Sequence, residues 1–199
     1  MRSYKSSQLY DDAAVTSLAL AAGRGDTESL AEFVRATQGD VQRFLTYLTG
    51  QRDIEDLAQE TYMRAIPNLP SFAGRASART WLLSVARRVA ADAVRTAVRR
   101  PRTCSPDRWE GPACSGEYEA VLLWELVDGL APERREAFVL TQVLEVSYAT
   151  AADISGCPVG TIRSRVARAR EDIIRAYDGD RFVGPTGKPY LYVSDRRTA

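Results

Sequence analysis

The side chains with the clearest chemical character lie between Pro158 and Tyr177, where arginines and small hydroxyl residues alternate with apolar ones. Between Val159 and Arg170 there are four arginines and no acidic residue. Apolar residues recur every three or four positions and predict the buried side of a helix, namely Val159, Ile162, Val166, Ala169, Ile173 and Tyr177. The other side and its edges carry groups that can read base edges or hold phosphates in a major groove: Thr161, Arg163, Ser164, Arg165, Arg168, Arg170 and Arg175.

The residues before this helix help to decide between a DNA-reading helix and a solvated basic face. A short helix is predicted over residues 148–154, and Ser155-Gly156-Cys157 forms a tight turn before Pro158 starts the long helix. A helix, a short turn and a second helix make up the helix-turn-helix arrangement of DNA-binding domains. The pattern therefore favours the DNA-reading interpretation.

A second basic stretch runs from Arg75 to Arg100, where seven arginines stand against one acid, Asp92, for a net charge of +6. The predicted buried stripe of this helix consists of Leu82, Val85, Val89 and Ala93. One flank of that stripe carries an aromatic ring, a hydroxyl group and arginines, which are Trp81, Ser84, Arg88, Arg95 and Arg99. Such a flank suits a melted nucleic-acid strand, on whose exposed base an aromatic ring can stack. For a lone tryptophan, a position in the core is the favoured alternative.

An acidic segment, Asp53-Ile54-Glu55-Asp56-Leu57-Ala58-Gln59-Glu60, has the opposite character. It is either the capped start of a helix, where the helix dipole favours anions, or a face that docks on another protein. The residues alone do not favour one of these two interpretations over the other.

The elements that must position these groups are predicted to be helices throughout. Asp26 is expected to cap a helix that continues past Gly39 to a break at Gly50-Gln51-Arg52. Asp53 is expected to cap a helix over residues 54–66, which Pro67 and Pro70 end. Residues 68–77 are predicted to be a loop, and a long helix follows over residues 78–99.

A stretch rich in proline, glycine, serine and threonine, residues 101–116, is predicted to be a flexible linker. It divides the chain into a first domain, residues 1–100, and a second domain, residues 117–177, and a polar tail follows over 178–199. Helices in the second domain are expected over 118–129, from Pro132 to about Leu144, over 148–154, and from Pro158 to Tyr177. The predicted fold class is therefore all-α, with two small helical domains.

Composition excludes several chemistries. The 199 residues contain no histidine, so Ser-His-Asp triads and histidine-containing zinc sites are impossible. The three cysteines form no Cys-x-x-Cys motif, which fits a reduced cytoplasmic setting. The apolar stretch from Ala13 to Gly23 is about half of what spans a bilayer, so we expect no membrane insertion. No catalytic residue, metal or cofactor is predicted, and the protein is not expected to be an enzyme.

Three stretches in order resemble the extracytoplasmic-function (ECF) sigma factors of the bacterial sigma-70 family. Asp56-Leu57-Ala58-Gln59-Glu60-Thr61-Tyr62 is similar to the region 2.2 pattern Asp-Leu-x-Gln-Glu-x-aromatic. Phe72 through Thr80-Trp81-Leu82 to Asp92 and Arg95 is similar to regions 2.3 and 2.4. The stretch Pro158-Val159-Gly160-Thr161-Ile162-Arg163-Ser164-Arg165, with Arg168-Ala169-Arg170, is similar to region 4.2. The resemblance covers residues 13–177 and is strongest to actinobacterial members of the sigma C type.

The resemblance implies a promoter-specificity subunit with a sigma-2-like and a sigma-4-like domain. Its partners would be core RNA polymerase, through the β′ clamp helices and the β flap, and promoter DNA. The segment 56–62, here called the docking segment, would bind the clamp helices through Asp56, Leu57, Gln59 and Glu60. The loop 68–77 and the helix after it would open and capture the −10 element through Arg75, Trp81, Arg88 and Arg95.

The resemblance assigns reading of the −35 element to the last helix, through Thr161, Arg163, Ser164, Arg165, Arg168 and Arg170. It leaves room for an anti-sigma factor as a further partner without identifying one. One departure lies at Arg88, where the family often has asparagine.

Two other classes of function compete with this one. A stand-alone helix-turn-helix regulator would share the last helix, but it would need a receiver or ligand-binding domain. The first domain shows no alternation of strands and helices that would build one. An enzyme acting on nucleic acid is disfavoured because the chain lacks histidine and a convergent pair of acids.

Overall fold

The computed structural model of the protein describes residues 11–50, 53–99 and 124–177. Regular structure in these ranges is helical, and no strand occurs within them, so the all-α prediction is confirmed. The described residues divide into two compact units, the first made of residues 11–99 with 153–156 and the second of residues 124–152 and 157–177.

The first unit contains four helices. These are α1 (Asp12–Gly23), α2 (Thr27–Thr49), α3 (Ile54–Ala65) and α4 (Ala78–Arg99), with a 3₁₀ helix (Ile66–Ser71) between α3 and α4. Helix α4 packs against α1, α2 and α3, and α1 also packs against α2 and the 3₁₀ helix. The core of the unit is built on large apolar side chains that are fully excluded from solvent, which include Phe33, Phe44, Leu45, Leu82 and Leu83.

Local signals set the ends of α1 and α2. The Asp11 carboxylate accepts a hydrogen bond from the Ala14 amide at 2.6 Å. Asp26 caps α2 by accepting from the Glu28 amide at 3.0 Å, as expected from the sequence. Gly50 ends α2 with a φ of +71°, a left-handed conformation that suits glycine.

Two details of the α3 region differ from expectation. Asp53 stands at the N-cap position of α3, but it has a φ of +50° and its side chain makes no capping hydrogen bond. Its carboxylate therefore contributes through its charge near the helix N-terminus. The segment predicted as a loop over 68–77 begins as the 3₁₀ helix, because Pro67 and Pro70 fix φ at helical values without the amide that an α-helix needs.

The buried side of α4 is broader than the predicted stripe. Leu82 and Val89 are buried as expected, whereas Val85 and Ala93 are only half-buried. Leu83, Ala86 and Ala90 are buried in addition. The reason is that α4 packs against three helices, which cover more of its circumference than the single stripe of a helix on a core.

The second unit begins, within the described residues, with helical residues 124–128 (α5). It continues with α6 (Pro132–Phe138), a π-helical turn (Val139–Val143), α7 (Tyr148–Ser155) and α8 (Val159–Tyr177). Pro132 occupies the first turn of α6, as predicted. The helix expected from Pro132 to about Leu144 changes its hydrogen bonding in the π turn, where the Leu144 amide donates to the Val139 carbonyl at 2.9 Å.

The turn between α7 and α8 is built on Gly156, which has a φ of +65°. The Cys157 amide donates to the Ala152 carbonyl at 3.1 Å and so closes the end of α7. The Thr161 amide then donates to the Pro158 carbonyl at 2.8 Å in the first turn of α8. Helix, glycine turn and second helix therefore follow one another as the sequence predicted.

The stripe predicted for α8 is buried at its centre only. Ile162, Val166 and Ala169 are buried, but Tyr177 is 59% exposed. A charged residue, Asp172, is buried at 4% exposure because Arg134 of α6 pairs with its carboxylate. The spacing of residues within one helix cannot predict such a buried charge, because its partner lies on another helix.

The predicted linker 101–116, the tail 178–199 and the start of the predicted helix 118–129 lie outside the described residues. Among the helices that are described, none is long and apolar enough to span a bilayer.

Candidate nucleic-acid and protein interfaces

Helix α8 carries the candidate −35 residues on its solvent side. Arg163, Ser164 and Arg168 are exposed, and Thr161 is half-buried. Within the described part of the chain, neither Arg163 nor Arg168 has an ion-pair or hydrogen-bond partner. The Ser164 hydroxyl donates to the Thr161 carbonyl at 2.9 Å. These side chains form a basic surface opposite the buried Ile162 and its neighbours.

The two other arginines predicted on this surface have partners in their own unit. Arg170 donates from Nη2 to Oε1 of Gln142 at 2.7 Å, which ties α8 to the π turn. Arg165 is half-buried and lies 3.7 Å from the sulfur of Cys157. Arg163 and Arg168 are therefore the most available cations of the set, while Arg165 and Arg170 also brace the helix.

The candidate −10 residues lie on α4 and on the loop before it. Trp81, Arg88 and Arg95 follow one another at intervals of seven residues, so they share a side of α4 that spans about 21 Å. Trp81 is half-buried, and its ring packs on Phe72 with centroids 5.1 Å apart and planes tilted by 37°. Arg88 is exposed and has no partner among the described residues. The loop and the first turn of α4 thus place an aromatic pair on the side of the helix that also carries the exposed Arg88.

Arg95 belongs to an ion network that sequence reasoning did not foresee. Asp92 pairs with Arg95 one turn away and accepts from Nη1 of Arg64 at 2.8 Å. Arg64 lies on α3 and also donates to Oε1 of Glu60 at 2.7 Å. The guanidinium of Arg64, helped by that of Arg95, holds the pKa of Asp92 below its ordinary value. The network joins a predicted docking residue, Glu60, to a predicted DNA contact, Arg95.

A groove runs between the N-terminal half of α1 and the loop before α4. Its walls are residues of α1 and of the loop, including the exposed guanidinium of Arg75, and the full lining is Asp12, Ala13, Thr16, Gly74, Arg75, Ala76 and Ser77. The sequence predicted that this loop takes part in the site, but it did not predict the wall from α1.

Helix α3 presents the acidic residues predicted to dock on a partner. Asp56 and Gln59 are exposed, while Leu57 and Glu60 are half-buried. A second open groove lies between α2 and α3 and is lined by Val34, Gln38, Gln42, Glu55, Ala58, Gln59 and Tyr62. The amides of Gln38 and Gln42, four residues apart on α2, are site candidates that sequence reasoning missed. Their polar type and helical spacing were the available signal.

Beneath this groove, Tyr62 occupies the aromatic position of the docking motif. The residue is 9% exposed, and its hydroxyl is 2.8 Å from Oγ1 of Thr37 on α2. Burial raises the pKa of Tyr62 to about 12, and the negative charge of Asp40 acts in the same direction. The aromatic residue therefore fastens α3 to α2 from inside the unit.

Together, the features of the two units define a class of protein. A glycine turn followed by a helix with exposed arginines is the fold of helix-turn-helix nucleic-acid-binding proteins. An acidic helix in a separate unit adds a face suited to a protein partner.

Comparison with known proteins narrows the class. Residues 33–100 match the family model described as Sigma-70 region 2, and residues 120–173 match that of Sigma-70, region 4. The ECF RNA polymerase sigma factor SigC of Mycobacterium tuberculosis is 46% identical over 179 residues, which cover 87% of this chain and 97% of that protein.

Two solved structures resemble the fold. One is CnrH in complex with the cytosolic domain of CnrY, with a TM-score of 0.67 and 22% identity over 85% of this chain and 99% of that one. The other is RpoE in complex with the anti-sigma factor NepR from Bartonella quintana, with a TM-score of 0.64 and 24% identity over 78% of this chain and all of that one. At these identities the likeness concerns the fold alone.

The chain belongs to the ECF sigma factors of the sigma-70 family. It is therefore a promoter-specificity subunit of RNA polymerase, and the resemblance found in the sequence is confirmed. The stand-alone regulator is set aside, because both family models match in order along one chain.

Proposed function

We propose that each of the three surfaces described above makes one contact of transcription initiation. The exposed residues of α3 dock on the clamp helices of the polymerase β′ subunit, the loop and α4 open and hold the −10 element, and α8 reads the −35 element. The observation that carries this proposal is the separation of charge. An acidic face lies on α3, whereas exposed arginines lie on α4, its preceding loop and α8.

Docking through α3 is supported by the exposure of Asp56 and Gln59 beside the groove between α2 and α3. An acidic surface is poorly suited to DNA but complements a basic protein partner. Leu57, half-buried at the same site, supplies apolar contact. Glu60 contributes as well, although Arg64 of the same helix already engages part of its charge.

Capture of the −10 element is supported by the groove between α1 and the loop. A flipped base needs a pocket and a cationic rim for its phosphates. The groove offers the pocket, Arg75 lies in its lining, and Arg88 extends the cationic rim along α4. Trp81 supports the site through its packing on Phe72. Arg95 also contacts the melted DNA strand, once a phosphate of that strand replaces Asp92 as its partner.

Reading of the −35 element is supported by the exposed arginines of α8. Arg168 and Arg163 are available for base edges or phosphates, and Ser164 and Thr161 stand beside them. Arg165 and Arg170 contact the phosphate backbone of the DNA. Their contacts with Cys157 and Gln142 also orient α8. The β flap is the polymerase partner proposed for this domain.

The domain bounds, setting and chemistry belong to the same proposal. Residues 1–100 form the sigma-2-like domain, 101–116 the linker, 117–177 the sigma-4-like domain and 178–199 a tail. The protein works in the cytoplasm with the nucleoid and catalyses no reaction itself, since the polymerase performs the chemistry. An anti-sigma factor is a further proposed partner, in keeping with the NepR complex of the Bartonella quintana relative.

Polymerase docking is tested with the double variant Asp56→Asn and Gln59→Ala. Both side chains are exposed, so the fold should be retained. Loss of one or two polar contacts at an interface should weaken binding to core polymerase by about 10- to 100-fold. Binding is measured by fluorescence titration of labelled protein with purified core enzyme.

The matched control is Glu28→Gln, which removes an exposed acid from the start of α2, away from the groove. This control should bind core polymerase like the wild type. Equal affinity of the double variant and the wild type would remove the docking role from α3. Glu60 is left unchanged in this test, because its substitution would also release Arg64.

A further inference from the structure

Helix α1 follows the segment 69–79 along its whole length. From its N-terminal to its C-terminal end, α1 meets this segment at four points spaced three or four residues apart. The partners run in the reverse order, with Asp12 at Arg79, Thr16 at Ala78, Leu20 at Gly74 and Gly23 at Leu69. One face of α1 therefore backs the loop that the proposed function assigns to the −10 element.

The first two contacts are polar. The Ala78 amide, at the start of α4, donates to Oγ1 of Thr16 at 3.0 Å. Nη1 of Arg79 lies 3.1 Å from Oδ1 of Asp12, and Nε of Arg79 lies 3.1 Å from Oδ2 of the buried Asp40 on α2. An N-terminal amide of α4 is thus satisfied by a side chain from another helix, where Ser77, the local cap, serves the Thr80 amide instead.

The other two contacts set how closely the backbones approach. A Cβ atom at Gly23 would lie 2.6 Å from the Leu69 carbonyl oxygen, so only glycine allows α1 to approach the 3₁₀ helix this closely. At the loop, Gly74 has a φ of +66°, and a Cβ atom there would lie 3.6 Å from a δ-methyl group of Leu20. Helix α1 therefore lies against the loop at Gly74 and against the 3₁₀ helix at Leu69.

We infer that Thr16 and Asp12 of α1 are positioning residues for −10 recognition, which set the conformation of the loop 73–77 without belonging to the region 2 match. That match begins at residue 33, so α1 lies wholly before it. The inference rests on the proposed function of the loop. It adds that the base pocket is incomplete without α1, whose side chains form one wall of the groove and fix the first turn of α4.

The test replaces Thr16 by valine, which has nearly the same shape but offers no acceptor to the Ala78 amide. Ala78 is fully buried, so its amide loses its partner with no access to water. Hydrogen exchange of the amides in 74–80 should accelerate about tenfold or more in the free protein. The matched control, Thr46→Val, removes a half-buried hydroxyl that bonds only to the Gln42 carbonyl of its own helix.

The functional readout is the ratio of open-complex formation on a matching −10 element to that on a substituted one. Permanganate reactivity of unpaired thymines measures it with assembled holoenzyme. Thr16→Val should reduce this ratio about tenfold, the effect of losing one well-placed contact, while core binding stays normal. A variant that is merely less stable would lower reactivity on both promoters equally, which would overturn the inference.

Asp12→Ala gives a second test that does not threaten the fold, because the Asp12 side chain is 54% exposed. It should reduce the same ratio in the same direction, and Ser17→Ala, on an exposed part of α1, should not. Deletion of 73–76 separates this inference from the proposed function. Normal reactivity after that deletion refutes the role of the loop, whereas a defective deletion with normal Thr16→Val and Asp12→Ala variants refutes the role of α1 alone.

Discussion

At the scale of single residues, the exposed arginines divide into those that are paired within the chain and those that are available. Arg168 stands opposite the buried side of α8 without a partner in the described ranges, while Arg170 donates to Gln142. Equal charge therefore does not mean an equal role. The available arginines suit base contacts, and the paired ones suit the placement of the helix.

Arg168→Ala should cost about 1–3 kcal/mol of promoter binding if its guanidinium contacts a base edge with two hydrogen bonds. The loss should be confined to promoters that carry the preferred base at one or two positions of the −35 element. Holoenzyme binding to a panel of single-base promoter variants measures it. Arg24→Ala, an exposed arginine between α1 and α2, serves as the control. An equal loss on every promoter would instead identify Arg168 as a phosphate contact.

At the scale of elements, α3, which we propose docks on core polymerase, is held to α2 through a buried tyrosine. Tyr62→Phe removes the hydrogen bond to Thr37 and should cost about 1 kcal/mol of unfolding free energy near neutral pH. The cost should depend on pH, because the pKa of Tyr62 is raised from 10.0 to about 12. The protonated phenol contributes to the free energy of unfolding. This contribution is fully present below pH 10 and is lost as the pH rises toward 12.

The wild type should therefore lose its advantage over Tyr62→Phe by about 1.4 kcal/mol per pH unit above pH 10. Urea unfolding of both proteins at several values between about pH 9 and pH 11 measures the difference. The remaining tyrosines are common to both proteins and cancel in the comparison. Parallel pH profiles would contradict the assignment of a buried, protonated phenol at position 62.

The same scale separates what could be predicted from the sequence from what could not. The bounds of α4 and the turn at Gly156 were predictable because periodic apolar residues, proline and glycine act locally. The partners of Asp92 and Asp172 were not, because Arg64 and Arg134 reach them from other helices. The wall of the groove supplied by α1 was missed for the same reason. Its apolar residues were noted, but the contact of Thr16 with Ala78 joins positions 62 residues apart.

At the scale of the whole molecule, a net charge of +1 conceals surfaces of opposite sign. Acidic and basic groups are placed on different helices, so the average charge says little about partners. The proposal that the two domains are independent follows from the composition of 101–116. A flexible linker would let the proposed −10 and −35 surfaces adjust separately to polymerase and DNA.

Limited trypsin digestion of the free protein should cut first near Arg102 or Arg108, inside the proposed linker. Two resistant fragments should accumulate, and mass spectrometry of the early products identifies their ends. Digestion of the assembled holoenzyme is the companion experiment, in which cleavage of the linker should be slower. First cuts between 78 and 95 would mean that the domain boundary is misplaced.

The π turn Val139–Val143 has a consequence for the phase of the helix that contains it. One extra residue within a turn rotates the following side chains by about 100° relative to a continuous α-helix. Gln142 lies inside this turn and meets Arg170 of α8 from there. In a chain one residue shorter at this point, a different side chain would face position 170. The length of the segment, as much as the identity of Gln142, therefore sets the orientation of Arg170 on α8.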